Sequence, residues 1–150
     1  MTTQDTTGKK FLRETDARIL IDRKLRDAGW DPEDKNQVIT EETIRGGLAP
    51  LEARAKGTAA AIGGLLLTGR ADYILKDSRG RGIAVIEAKR FSVEPASAKR
   101  QALSYAESIK AEFIFLSNGE EIYFWDYKNR PEQKVATFYS QRDLEKIQNL

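Results

Sequence analysis

The chain contains no cysteine and no histidine. The first absence excludes disulfides, thiolate nucleophiles and cysteine-ligated structural zinc. The second excludes serine–histidine and cysteine–histidine catalysis, imidazole general bases and imidazole metal ligands. An enzyme of this composition has to work with carboxylates, lysine, arginine, tyrosine and hydroxyls. Carboxylates without imidazole favour a hard cation such as Mg²⁺. Net charge is also small: 25 Lys+Arg oppose 23 Asp+Glu, leaving +2. Contact with nucleic acid must therefore come from a local basic patch rather than a global field. Long apolar runs are missing as well. The longest apolar patch, around residues 59–67, is interrupted by glycines and far too short to span a bilayer. The opening MTTQDTTGKK is polar, without an apolar signal region. These absences make a soluble cytoplasmic protein with no membrane partner the expectation.

What is present suits one domain: 150 residues, 40% of them hydrophobic, enough for a core without covalent staples. Residues 1–10 read as a disordered lead. From Leu12 to Ala28 the spacing predicts a helix, with Leu12, Ile19, Leu25 and Ala28 sharing a face helped by Ile21. Gly29 then ends it and Trp30 supplies an apolar contact at the cap. A short strand is possible at residues 37–40. Residues 46–69 are rich in Ala and Gly, show no clean period, and read as a long excursion with room for one short helix near 51–56. So long an excursion in a compact domain is usually functional.

Beyond this the signals sharpen. Residues 71–76 read as a strand, Asp77-Ser78-Arg79-Gly80-Arg81-Gly82 as a turn, and 82–89 as a second strand. Ile83, Ala84, Val85 and Ile86 make that strand apolar on both faces, hence central and covered on both sides. Pro95 suits the first turn of a helix running to about Ile109. Residues 113–116 read as a buried strand, Asn118-Gly119 as a hairpin signal, and 121–127 as the returning strand. Residues 135–139 add an edge strand, and 141–150 begin a further helix. The order indicates an α/β domain with a mixed sheet flanked by helices.

The hairpin carries the chemistry. With Arg79 and Gly80 as central turn residues, paired positions sum to 159 and Asp72 faces Glu87, at the Cβ separation of about 4.5–5.5 Å usual for opposed residues. Alternation puts Ile83, Val85, Glu87 and Lys89 on one face. Two opposed, half-buried carboxylates repel and cost desolvation energy, and a divalent cation bound by one or two carboxylates plus water and phosphate oxygens resolves both problems. Lys89 is then placed to orient or deprotonate a water, or to stabilise phosphate charge. These are the parts needed to hydrolyse a phosphodiester without histidine. The plainer alternative is an ion pair at a sheet edge, since a lone Glu-x-Lys is expected about once in a chain of ordinary composition. In the following helix Gln101 and Tyr105 are four apart, on a face with Ala98, Ala102 and Ile109. They either border a small-residue packing face or reach toward the metal site or the DNA backbone.

Together, Arg70-Ala71-Asp72-Tyr73, Ala84-Val85-Ile86-Glu87-Ala88-Lys89 and Gln101-x-x-x-Tyr105 resemble the N-terminal nuclease domain of type I restriction enzyme R (motor) subunits. That family lies within the PD-(D/E)xK nuclease superfamily and carries the QxxxY motif shared with RecB-like nucleases. Glu14-Thr15-Asp16-Ala17-Arg18, with Ile21-Asp22 and Ala28-Gly29-Trp30, is similar to the family's first helix. Phe113 through Ser117-Asn118-Gly119 is similar to its strand after the QxxxY helix. The resemblance spans about residues 11–127. It implies a restriction-endonuclease-like mixed central sheet, with the nuclease domain over 11–140 and residues 141–150 leading toward a downstream translocase. It also implies that Asp72 and Glu87 bind Mg²⁺ (or Mn²⁺), helped by the Ala88 carbonyl, and that Lys89 is the catalytic lysine. Gln101 and Tyr105 would assist cleavage or position DNA, and Glu14 would complete the metal shell. The superfamily's proline before the aspartate is Ala71 here. Arg70, Arg90, Lys99 and Arg100, with Arg79 and Arg81, surround the motif and could meet phosphates of double-stranded DNA; solvated surface charge is the plain alternative for each.

The implied partners are the methyltransferase and specificity subunits of a type I complex. ATP would serve only the full-length subunit, because this chain has no G-x-x-x-x-G-K-[ST] sequence. Two other readings stand beside this one: a non-catalytic DNA-binding or assembly module of the same fold, and a RecB-like repair nuclease.

Overall fold

The first helix, α1 (Glu14–Asp27), buries Ala17, Ile21 and Leu25, a stripe of period four. Ile19, expected on the buried face, is instead 55% exposed, because the i, i+4 stripe through Ala17 leaves position 19 on the far side. The helix closes as a Schellman turn. Gly29 adopts φ 97° and donates to the Arg26 carbonyl at 3.0 Å, and the Trp30 N–H donates to the Leu25 carbonyl at 2.9 Å. Trp30 then buries its ring in the core, and its indole N–H donates to the Tyr139 carbonyl at 2.9 Å.

A computed structural model describes residues 14–40, 61–62, 65–66, 71–88 and 95–150. A six-stranded sheet organises these residues: β1 (Val38–Thr40), β4 (Tyr73–Lys76), β5 (Gly82–Ala88), β6 (Phe113–Ser117), β7 (Ile122–Trp125) and β8 (Gln133–Val135), in that spatial order. All neighbours are antiparallel except β5 and β6. These two are joined through α2 (Pro95–Ile109), the helical crossover that a parallel pair requires. Two short strands, β2 (Ala61–Ile62) and β3 (Leu65–Leu66), form a separate antiparallel pair. The short helix expected near 51–56 lies outside the described residues. The expected edge strand at 135–139 is displaced: β8 ends at Val135, and Phe138 leaves the ladder to enter the core.

Side-chain alternation splits the core in two. One face of the sheet carries Tyr73, Leu75, Ile86, Phe113, Phe115 and Phe124 under α1 and α3 (Gln141–Gln148), the latter seated by Leu144. The other carries Ile74, Val85, Ile114 and Leu116 under Ala102, Tyr105 and Ala106 of α2. Helices on both faces of a mixed sheet make an α/β domain, the restriction-endonuclease-like arrangement. Burying one Ile or Leu contributes about 1.5–3 kcal/mol, so the α1 stripe alone anchors that helix. No helix among the described residues is long and apolar enough to cross a membrane.

The hairpin register follows the expected sum over Tyr73↔Ile86, Ile74↔Val85 and Leu75↔Ala84, and then shifts at Lys76↔Gly82. The loop explains the shift. It has three residues, Ser78–Gly80: the Asp77 N–H donates to the Arg81 carbonyl at 2.7 Å, and Gly80 sits at φ 86°. A three-residue loop with a left-handed glycine is a common hairpin solution, and the one-residue mismatch is absorbed by a bulge at Ile83. The bulge turns Ile83 onto the α1 face with Ala84 and Ile86, not onto the face of Val85 that strict alternation required.

Candidate active site

The open end of the β4–β5 hairpin coincides with the C-terminal ends of the parallel strands β5 and β6, the usual place for a site in an α/β sheet. The regular ladder ends at Tyr73 and Ile86. Asp72, one residue beyond, does not continue it as a pair with Glu87. Its N–H donates to the Ile86 carbonyl at 3.0 Å, and its Oδ2 accepts the Ala88 N–H at 2.7 Å. The carboxylate thus takes over the cross-strand bond where the backbone ladder stops. Asp72 is only 4% exposed, and a charge so deep requires compensation. Part comes from the Ala88 N–H. Arg18 of α1 contributes as well, its Nη2 forming an ion pair with Asp72 Oδ1.

Glu87 is half-buried on β5, beside Leu116 of β6 in register. It shares the face of Val85, one residue before the Ala88 that binds Asp72. The two carboxylate-bearing residues of the sequence motif are therefore brought to one strand end. Lys89, Arg70 and Arg90 lie outside the described residues. Glu14 is the first residue of α1. Tyr105 is buried in the α2 face of the core with Ala71 and Leu116, whereas Gln101, one turn earlier, is exposed. Arg100 is exposed too. Lys99 is engaged within the domain: its ammonium binds Glu132 at 2.8 Å and lies 4.8 Å from the centre of the Trp125 ring. Arg79 and Arg81 belong to the hairpin turn at the opposite end of the sheet, where Arg81 pairs with Asp77.

Helix α1 contributes more than the sequence reading assigned to it. The Tyr73 hydroxyl donates to Asp22 Oδ1 at 2.7 Å and approaches the Arg18 carbonyl at 3.3 Å. Burial pushes the Tyr73 phenol well above its ordinary range, and the hydrogen bond to Asp22 and that residue's charge push it further, so it remains a donor. Arg18 and Asp22, one turn apart, thereby grip Asp72 and Tyr73. The β6–β7 loop holds the same helix from another side. Gly119, at φ 98°, packs so closely that a Cβ there would lie 3.0 Å from Leu20 and 3.3 Å from the Ala17 backbone, and Lys24 donates to the Glu120 carbonyl at 3.0 Å. That loop is preorganised by Asn118 Oδ1, which accepts the N–H groups of Glu120 and Glu121 at 2.8 Å each. The i, i+4 spacing of Arg18 and Asp22 was readable. Their partners, 54 and 51 residues away, were not.

A family model described as the type I restriction enzyme R protein N terminus matches residues 61–140, more than half of the chain. This chain belongs to that family. The chain is also similar to a solved structure, a fragment assigned as an HsdR subunit of a type I restriction enzyme from Vibrio vulnificus YJ016. The similarity has a TM-score of 0.62 at 26% identity and covers 91% of this chain and 25% of that one. The domain thus spans about a quarter of the length of that relative. No curated protein sequence matches it.

Proposed function

We propose that this R-protein N-terminal domain is the Mg²⁺-dependent endonuclease of a type I restriction–modification motor subunit, cleaving double-stranded DNA within the complete assembly in the cytoplasm. The observation that carries the reading is the buried Asp72, held by the Ala88 N–H at the strand end that also bears Glu87.

The donor set fits a hard divalent cation. Asp72 and Glu87 stand at one strand end in a chain that offers neither imidazole nor thiolate, and Mg²⁺ is commonly held by one or two carboxylates with water and phosphate oxygens. Asp72 and Glu87 would hold the ion, with the Ala88 carbonyl and Glu14 as further oxygen donors. When bound, it polarises the phosphoryl oxygen and lowers the pKa of a water. The remaining work falls to the chain's own side chains. The Ala88 N–H orients Asp72 by fixing one of its oxygens. Lys89 follows Ala88 directly; as a neutral amine it would take up a proton from the attacking water, or as an ammonium it would stabilise charge on the phosphate. Gln101 is exposed on α2 and can reach the DNA backbone, while Tyr105, fixed in the core, sets the position of that helix turn. Arg70, Arg90 and Arg100 are the basic groups offered to phosphates; Lys99, tied to Glu132, serves less directly.

Recognition and translocation belong to partners and to the rest of the subunit: a specificity subunit, methyltransferase subunits and an ATP-driven motor. The test is DNA cleavage by the complete complex. Asp72→Ala and Lys89→Ala should abolish Mg²⁺-dependent cleavage while the fold, followed by circular dichroism, and ATP hydrolysis by the subunit persist. Cleavage at the parent rate by either variant would overturn the assignment. Calorimetry separates this reading from a non-catalytic DNA-binding module, which would show no Mn²⁺ affinity dependent on Asp72 and Glu87.

A further inference from the structure

Both oxygens of the Asp72 carboxylate are held, and they are held from different elements. Oδ2 accepts the Ala88 N–H of β5, and Oδ1 meets Arg18 of α1. The plane of the carboxylate therefore follows the position of α1 relative to β5. A carboxylate that serves a cation has to be aimed, so the placing of that helix bears on the site.

A second link between helix and strand sets that placing. The Tyr73 hydroxyl donates to Asp22 Oδ1 at 2.7 Å. Asp22 stands one turn beyond Arg18 on α1, about 6 Å along the helix axis, and Tyr73 directly follows Asp72. Two neighbouring residues of the hairpin are thus tied to two neighbouring turns of the helix. One link alone would let the helix pivot about it, whereas two fix its direction as well as its distance. The Tyr73 ring is 2% exposed and belongs to the core cluster that includes Ile21 and Leu25 of α1. A ring in a close-packed core keeps one rotamer, so its hydroxyl is a fixed point to which Asp22 brings the helix.

We propose that Asp22 is a positioning residue of this site. Through the Tyr73 hydroxyl it fixes α1 against the hairpin, and so fixes the angle at which Arg18 holds Asp72. The inference rests on the assignment of Asp72 and Glu87 as cation ligands.

The experiment is DNA cleavage by the complete complex at saturating Mg²⁺, with kcat and the KM for DNA measured separately. Asp22→Ala should lower kcat about tenfold to a hundredfold, a usual loss when a group that orients a metal ligand is removed, and should leave KM near the parent's. Asp22→Asn keeps an oxygen that accepts the hydroxyl and should restore kcat to near the parent's. Tyr73→Phe removes the other half of the bond and should lower kcat as Asp22→Ala does. The double variant should fall no further than either single, because both act through one bond. Gly80→Ala, which strains the far turn of the hairpin, controls for lost stability and should keep the parent kcat. A parent kcat in Asp22→Ala, with Asp72→Asn inactive, overturns the positioning role and leaves the cation site standing. Fully additive losses in the double variant overturn the role as well. So does an equal loss in Gly80→Ala, since instability would then be the cause. If Asp72→Asn cleaves at the parent rate, the cation site falls, and the role of Asp22 falls with it.

Discussion

The two ends of the β4–β5 hairpin each bury one aspartate, and they do so in opposite ways. At the turn end Asp77 is 5% exposed. Its Oδ1 accepts the N–H groups of Arg79 and Arg81, two and four residues away, and its Oδ2 pairs with Arg81. Every one of these partners lies in the same loop, so the charge is satisfied as soon as the turn forms. At the open end Asp72, equally buried, draws on Ala88, 16 residues away, and Arg18, 54 residues away. The first is a backbone donor that cannot leave. The second is a side chain carried by another element, α1. A carboxylate neutralised by its own loop depends on that loop alone, whereas one neutralised across the fold depends on the docking of α1.

That contrast can be broken at several points. The largest effect is expected on activity. Asp72→Asn should remove cleavage by the complete complex, whereas Asp77→Asn should retain it at temperatures where the fold persists. Equal losses from both variants would erase the distinction. Next come the two glycines that serve the two ends, both at positive φ. Gly119→Ala adds the cost of a left-handed side chain to close contact with Leu20 and the Ala17 backbone, so denaturant unfolding should show a loss of roughly 2–4 kcal/mol. Gly80→Ala meets nothing within 4 Å, and its loss should stay near the backbone cost of about 1–2 kcal/mol. Asp77→Asn should destabilise by about 1–3 kcal/mol, the value of charge-assisted bonds inside a buried turn.

The smallest effect concerns pH. The Tyr73 phenol is raised above its ordinary 10.0 by burial first and then by Asp22, with Arg18 opposing. The folded state therefore holds this proton more tightly than the unfolded chain does. Its contribution to stability is full below pH 10.0 and declines as pH rises beyond it, because the unfolded chain releases the proton first. Tyr73→Phe should flatten that alkaline decline, seen as a stability profile less steep above pH 10.0 than the parent's. An unchanged slope would mean that Tyr73 does not carry it.

Much of this was legible in the chain. Pro95–Ile109 was readable as a helix from Pro95 and the small-residue period, and it runs between those residues. The register sum of 159 followed from the turn residues and holds across three pairs. The bulge at Ile83 was not legible. Two-residue and three-residue loops both suit Asp77–Gly82, and only the packing of Ile83 against the α1 face chooses between them. The exposure of Ile19 was hidden for a similar reason. A helix with apolar residues at 17, 19, 20, 21 and 25 offers several stripes, and the sheet selects one. The engagement of Lys99 with Glu132 and Trp125 was hidden too, because those partners lie 33 and 26 residues further on.

By itself, the sequence determined the ingredients of the candidate centre: two carboxylates and a lysine at the end of a central strand, in a chain with no imidazole or thiol to do their work. Strand periodicity is local, so it survives in the sequence. What only the tertiary structure decided was how Asp72 is neutralised. Its partner Arg18 stands on a helix that the loop at Gly119 and the hydroxyl of Tyr73 fasten to the sheet, and contacts across more than fifty residues leave no period to read.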